Sequence, residues 1–239
     1  MQEKKVKDVF SSISRKYDLA NTLLSFGIEK YWRKRFSSYI NGDEKRILDA
    51  CCGTGMSTFS LLNKILQKNI RQTKIFGIDF SKEMLEIAKK RLLKLELPKN
   101  NPKISFLEAD ASNTAFKDNY FDLTTVVFGL RNIIERDKVI EEFYRITAPD
   151  GRLFIMEFNM PQKGIFSKLY RFYLNRILIT IGKIITGERD AYRHLAESIR
   201  EFPNPGIIKD KLKKAGWKSI TIHSMTMNTC FIYCARKFQ

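Results

Sequence analysis

The chain has 239 residues, 44% of them hydrophobic, and a formal net charge of +17. That apolar content excludes a disordered chain, and the length suits one large domain with extensions. The longest apolar stretch, residues 177–185, is interrupted by Lys183 and is far short of the roughly 20 residues needed to span a bilayer.

Residues 1–8 are mostly polar, so no signal peptide is expected and the protein is expected to be cytoplasmic. The four cysteines follow no metal-ligand spacing and read as reduced core thiols. The positive charge is uneven: residues 163–218 hold 13 basic and 5 acidic side chains. An excess of this kind points to nucleic acid, an anionic membrane or anionic substrates as partners.

Residues 1–45 are expected to form N-terminal helices. Ile47 to Ala50 reads as a buried strand, and Thr58 to Lys68 as the helix after it. Lys74 to Asp79 is a second strand. Ser81 caps a helix to Leu95 that carries Met84, Leu85, Ala88 and Leu92 at helical spacing. Residues 98–102 are loop. Ile104 to Leu107 is a third strand, and Phe121 to Phe128 a fourth, read as apolar throughout and so buried on both faces. Asp137 to Thr147 is helical, Pro149-Asp150-Gly151 turns, and Arg152 to Phe158 is a fifth strand.

A helical insertion over residues 163–203 follows, then an αββ unit over 204–239. Its strands, Lys218 to Thr226 and Thr229 to Arg236, are separated only by Met227 and Asn228, which makes them an antiparallel hairpin. Strands alternating with helices predict a mostly parallel α/β sheet with helices on both faces. Such a sheet ending in a reversed hairpin is the plan of a Rossmann-like class I methyltransferase rather than of a dehydrogenase. Residues 1–239 are read as one domain, with 46–158 as the cofactor-binding core and 163–203 lying over the substrate site.

The chemistry starts at the first strand end. Asp49 is followed by Cys51-Cys52-Gly53-Thr54-Gly55 and a helix, so bare backbone N–H groups face a ligand. A pyrophosphate cradle needs a third glycine, and position 58 is Thr. The loop better suits a ligand presenting an amino acid and a nucleoside, as S-adenosylmethionine does. In an open parallel sheet the ligand lies beyond the carboxyl ends of the strands. Asp79, after the second strand, is placed to accept both ribose hydroxyls. Asp110, after the third, is placed for the adenine amino group, with the Ala111 backbone on the ring edge. Phe80 and Met84 are expected on the adenine faces.

Phe128-Gly-Leu-Arg-Asn132, Glu142-x-x-Arg145-x-x-x-Pro149-x-Gly151-Arg152 and Glu157-Phe158 closely resemble the ubiquinone/menaquinone biosynthesis C-methyltransferase family. Phe10-x-x-Ile13-x-x-x-Tyr17-Asp18-x-x-Asn21 with Ser25-x-Gly27-x-x-x-x-Trp32-Arg33 looks like its N-terminal signature. Ala191-Tyr192-x-x-Leu195-x-x-Ser198-Ile199-x-x-Phe202-Pro203 looks like its late one. The resemblance implies that Thr54, Asp79, Asp110 and Ala111 bind the cofactor. Val127 stands where some relatives have a cofactor-binding Ser. Residues 225–233 depart from the family's glycine-rich turn and following His, which puts the last hairpin in doubt.

The resemblance further implies transfer of a methyl group to a ring carbon of a reduced polyprenyl quinone, most simply demethylmenaquinol, or the equivalent benzoquinol. No metal is expected, because the sulfonium is already activated. Arg131 and Asn132 leave the fourth strand beside the expected methyl position. Arg131 is assigned to the developing phenolate, directly or through a water, since arginine is too basic to act as a conventional base. Tyr192 and His194 on the insertion are further candidates. Expected partners are the quinol and a membrane surface by peripheral contact through the insertion. A homodimer is left open, and no nucleic acid is expected. The rival readings are an RNA methyltransferase, suggested by the charge, and a non-catalytic cofactor-binding protein.

Overall fold

The computed structural model describes residues 22, 25–68, 72–97 and 102–238. The segment Phe10 to Asn21 of the N-terminal signature therefore lies outside the described residues, as does most of the loop over 98–102. Helix α1 (Ile28–Ser37) precedes β1 (Arg46–Ala50), α2 (Met56–Gln67), β2 (Lys74–Asp79), α3 (Lys82–Leu93), β3 (Lys103–Glu108) and β4 (Phe121–Val127). A single 3-10 turn (Leu130–Asn132) leads to α4 (Arg136–Ile146) and β5 (Thr147–Phe158). The insertion comprises α5 (Gly164–Phe172), a π-helical turn (Tyr173–Leu178), α6 (Ile179–Thr186) and α7 (Arg189–Glu201). Helix α8 (Pro205–Lys214), β6 (Lys218–Met225) and β7 (Cys230–Arg236) close the chain.

The strands form one seven-stranded sheet in the order β3-β2-β1-β4-β5-β7-β6. Pairings from β3 through β5 are parallel, and β7 is antiparallel to both β5 and β6. The order reverses between β1 and β4, so their carboxyl ends open a crevice beside the first turn.

Alternation along the strands supplies two cores. Leu48, Ala50, Val126 and Leu153 face a core with Phe143, Ile208 and Leu212 from α4 and α8. Ile47, Leu123, Val127 and Phe154 face the other with Trp32, Phe36, Leu61 and Leu62 from α1 and α2. The insertion has its own cluster around Leu174, Leu178, Tyr192, Ala196 and Ile199.

Two details differ from the sequence reading. Strand β4 is buried but not wholly apolar. Thr125 Oγ1 donates to Leu48 O and Asp49 at 3.0 Å each, Thr124 and Thr147 share a 2.8 Å bond, and Asp122 accepts from the N–H groups of Lys45 and Arg46. A buried strand tolerates polar groups when each is bonded. Strand β5 begins at Thr147, because Pro149-Asp150-Gly151 forms a bulge within it: Phe121 pairs with Thr147, but Leu123 pairs with Arg152.

The last hairpin forms despite its divergent sequence. Thr226, Met227 and Asn228 all take positive φ, at 42°, 53° and 66°, which side chains ordinarily disfavour. Outside bonds hold them there: Trp32 Nε1 donates to Thr226 Oγ1 at 2.8 Å, and Asn159 Nδ2 to Asn228 O at 2.8 Å.

Candidate active site

The first turn is fixed from beneath. Asp49 is fully buried and accepts from Thr58 Oγ1 at 2.6 Å and Thr125 Oγ1 at 3.0 Å, tying the start of α2 to β1 and β4. Thr58 occupies the place of the missing third glycine, and its hydroxyl makes this tie. Burial pushes the Asp49 carboxyl up to about 6, with the two threonine hydroxyls acting against the rise. Gly55 has φ +83°, and a Cβ there would lie 2.8 Å from the Phe59 ring. Only glycine turns the chain into α2 at this point.

At the end of β2, Asp79 accepts from Gly53 N at 2.8 Å and from Ser81 N at 2.9 Å. The carboxylate is thus held rigidly, with lone pairs left for further donors. Burial raises its pKa, and the N–H groups of Ser81 and Gly53 oppose that rise. Ser81 also caps α3 by accepting from Met84 N. At the end of β3, Asp110 accepts from Ser112 N at 2.8 Å.

These strand ends enclose a cavity of about 240 Å³. Gly53, Thr54, Asp79, Phe80, Met84, Asp110 and Ala111, which the sequence reading assigns to the cofactor, line it, with Asn132, which it places beside the methyl position. Val127 lines it too, without a hydroxyl to donate. Asn132 Oδ1 is buried with no donor. A glycine turn, a fixed carboxylate, an orphan acceptor and half-buried Phe80 fit the polar and aromatic parts of S-adenosylmethionine.

Past β4 the chain turns sharply at Phe128, with φ 57°. Gly129 passes so close to Cys51 that a Cβ would lie 2.4 Å from that residue's own. A second cavity, about 350 Å³, opens here between α1, the insertion and the β6–β7 turn. Its walls are mostly apolar and aromatic, including Phe26, Trp32, Phe158, Phe166, Tyr170 and Tyr173. Among the described residues, Arg33 and Phe128 line both cavities.

Five predicted residues lie outside the first cavity. Asp49 and Gly55 line neither cavity and shape the loop from below. Tyr192, expected to face the site, is buried within the insertion, its ring against Gly182. His194 also lines neither cavity. Arg131 lines the second cavity, not the first. Its Nη1 donates to Glu157 Oε1 at 2.9 Å and to Phe128 O, and its backbone N–H donates to Glu157 Oε2 at 3.0 Å. Both side chains of this ion pair are buried, so the Arg131 charge is balanced before any ligand arrives.

Sequence reasoning missed Arg33, Cys51, Cys52, Met56, Ser57 and Phe128 as cavity walls. The thiols were read as core, yet Cys51 and Cys52 line the first cavity, and burial raises both pKa values well above the ordinary range. Met56 and Ser57 follow from the helix start itself. Arg33 belongs to the N-terminal signature, but its place at the site follows from the packing of α1 on α2, where Ser60 Oγ donates to Arg33 O at 3.2 Å.

The sheet order, the reversed end strand and the acid-lined crevice define a class I S-adenosylmethionine-dependent methyltransferase. The solved structures agree on the fold. A methyltransferase from Aquifex aeolicus superposes with a TM-score of 0.61 at 21% identity, covering 95% of this chain and 97% of that one. Phosphoethanolamine N-methyltransferase 2 from Haemonchus contortus, solved with S-adenosylmethionine, gives 0.59 at 16% identity, over 82% of this chain and 49% of that one.

The profile of the ubiE/COQ5 methyltransferase family matches residues 1–237, and the chain belongs to that family. It is 37% identical to the ubiquinone/menaquinone biosynthesis C-methyltransferase of Pseudomonas paraeruginosa, over 93% of this chain and 85% of that one. With the protein of the same name from Francisella tularensis it shares 36% identity, over 99% of this chain and 92% of that one. It is an S-adenosylmethionine-dependent C-methyltransferase.

Proposed function

We propose that the chain methylates a ring carbon of a reduced polyprenyl quinone, with demethylmenaquinol as the preferred substrate and the corresponding benzoquinol as the second. The observation that carries this reading is the second cavity: aromatic, apolar and joined to the cofactor cavity at Arg33 and Phe128. A flat aromatic ring suits walls of stacked side chains, such as Phe128 and Phe158 at 4.3 Å. The relatives' names support the same class of substrate.

In this reading Asp79, Asp110 and the 51–57 turn hold the cofactor, which supplies a methyl group already activated on a sulfonium and so calls for no metal. The protein's part is to place a nucleophilic carbon in line and to stabilise the oxygen that gains charge. The walls of the second cavity exclude water from the ring. A prenyl tail does not leave the bilayer, so the reading includes docking at a membrane surface. Exposed Ile165, Leu169 and Phe172 on α5, beside the cavity mouth, support that part.

The test is a labelling experiment. Purified protein with methyl-labelled S-adenosylmethionine receives chemically reduced demethylmenaquinone, the benzoquinol or total RNA in parallel. Label is expected in the quinol extract. Label in RNA alone would favour the rival reading, and the +17 charge would then have to be explained by nucleic acid.

A further inference from the structure

Arg33 sits where the two cavities meet. It is the only cation lining the cofactor cavity among the described residues, and it shares the second cavity with Arg131. Its side chain is 13% exposed. Nη1 donates to Glu29 Oε2 at 2.8 Å, and the guanidinium lies 5.2 Å from the centre of the Phe128 ring. Glu29 is itself held by Thr22 Oγ1 at 3.0 Å. Arg33 Nε is buried and has no acceptor. A buried charged donor without a partner costs free energy unless a ligand satisfies it.

Two acceptors are possible at this junction, the carboxylate of the cofactor's amino-acid part and an oxygen of the substrate ring. The helix decides between them. Ile28, Glu29 and Trp32 of α1 all line the second cavity only, and Arg33 alone of that helix also reaches the first. Its side chain thus starts in the substrate wall and ends at the boundary that the methyl group must cross. In the quinol reading the oxygen beside the accepting carbon would lie at that boundary. Arg131 Nε is also buried without an acceptor, but Arg131 lines the second cavity alone and does not reach the cofactor side.

Resting on the quinol reading above, we infer that Arg33 is a catalytic residue that anchors the ring oxygen next to the accepting carbon as that oxygen becomes a phenolate. The oxygen's proton leaves to water. The ring carbon then forms its bond to the methyl carbon while the methyl–sulfur bond breaks, its electron pair returning to sulfur as S-adenosylhomocysteine. The hydrogen displaced from the ring carbon leaves as a proton, restoring the aromatic ring, and the oxygen takes a proton back from water, so that one proton is released overall. Arg33 stabilises the oxygen's negative charge, which is absent from the bound neutral quinol and partly retained in the transition state.

A phenolate anchor lowers the pKa of the bound oxygen, so its loss moves the rising limb of the pH–rate profile upward. The titratable groups around the two cavities that Arg33 lines are Glu29 on its own helix, Arg131 with Glu157, Tyr170 and Tyr173 of the insertion, and Cys51, Cys52, Asp79, Asp110 and Glu135 of the cofactor wall. Burial raises both tyrosines, Tyr173 to about 12, and both thiols above their ordinary values. A limb that moves between pH 7 and roughly 9 therefore belongs to the substrate.

The experiment compares wild type, Arg33→Gln and Arg33→Lys with a short-chain demethylmenaquinol, and titrates each with S-adenosylhomocysteine by calorimetry. Arg33→Gln is expected to lower kcat by about 10²–10³-fold, the loss typical of one oxyanion donor. Its cofactor affinity should stay within threefold of wild type, and its rate should recover partly as pH rises. Arg33→Lys should keep part of the rate, and it carries the test if the Gln variant fails to fold. A tenfold or larger loss of cofactor affinity would assign Arg33 to the cofactor carboxylate instead. Unchanged kcat and pH profile would reduce it to a structural ion pair. Wild-type protein inactive on every quinol would overturn the substrate reading itself, and this assignment with it.

Discussion

Asp49 shows how a single residue can serve the site without touching a ligand. It fastens β1, β4 and α2 together under the cofactor turn through Thr58 and Thr125. Its carboxyl is raised to about 6 by burial, against about 3.9 in an unfolded chain. Between those values the folded chain holds a proton that the unfolded chain has released. Stability from this group is therefore present below about pH 4 and lost as pH rises through 6. Asp49→Asn keeps an acceptor for Thr58 and removes the charge. The variant should lose up to about 3 kcal/mol of the fall in unfolding free energy between pH 4 and 7 that the wild type shows. Urea unfolding at both pH values checks this, and parallel pH dependences in the two proteins would remove Asp49 as the titrating group. Arg131 and Glu157 give the contrasting case, a buried pair whose charges cancel and whose effect is to fix the turn after β4.

At the scale of elements, the insertion depends on one close approach. The ring of Tyr192 on α7 lies where a Cβ of Gly182 on α6 would be, 2.3 Å from the ring carbon Cγ. That contact orients α7 so that Leu195 lines the second cavity while Tyr192 stays inside. Gly182→Ala would gain up to about 1 kcal/mol of helix propensity at an open position. Here the steric clash should win and lower stability by about 1–3 kcal/mol. Chemical denaturation measures the net change, and adding Tyr192→Leu should recover most of it. A midpoint equal to or above wild type would mean that α6 and α7 separate freely. The β6–β7 hairpin makes a related point. Its turn lacks glycine, and the three left-handed residues are held by Trp32 and Asn159, which lie far away in the chain.

Across the whole molecule the +17 charge and the apolar surface meet on the insertion. Ile165 is 78% exposed and Ile184 76%, with Leu169, Phe172 and Ile181 exposed near them. Phe26, 79% exposed, stands at the rim of the second cavity. Lys168, Arg171, Arg176 and Lys183 are exposed on the same helical stretch. Tyr173 and Ile177 on this stretch are half-buried, and Tyr173 lines the cavity. An anionic bilayer attracts such cations at roughly 1 kcal/mol each, and the apolar side chains insert into its interface. Among the described residues no helix is long and apolar enough to cross a membrane. Flotation with vesicles of increasing anionic lipid should show binding that rises with lipid charge and falls with salt. Changing the four cations to Gln should abolish most of it. Absence of binding at low salt would leave the substrate to be delivered by a carrier.

Much of this protein was determined by the sequence alone. The period of apolar residues defined the five parallel strands and their helices, and two residues between the last strands required a hairpin. Acids after successive strands, with the glycine turn, marked the cofactor side, because a parallel sheet presents every strand end to one crevice. These are local patterns, and local geometry answers them. Tertiary structure decided what depends on residues distant in the chain. It turned Asp49 beneath the loop rather than into it, because Thr58 and Thr125 meet it there. It paired Arg131 with Glu157 across 26 residues and buried Tyr192 against Gly182. It also brought Arg33 from the N-terminal helix to the junction of the two cavities. No spacing along the chain encodes that meeting, which arises when α1 packs over α2 beside the end of β4.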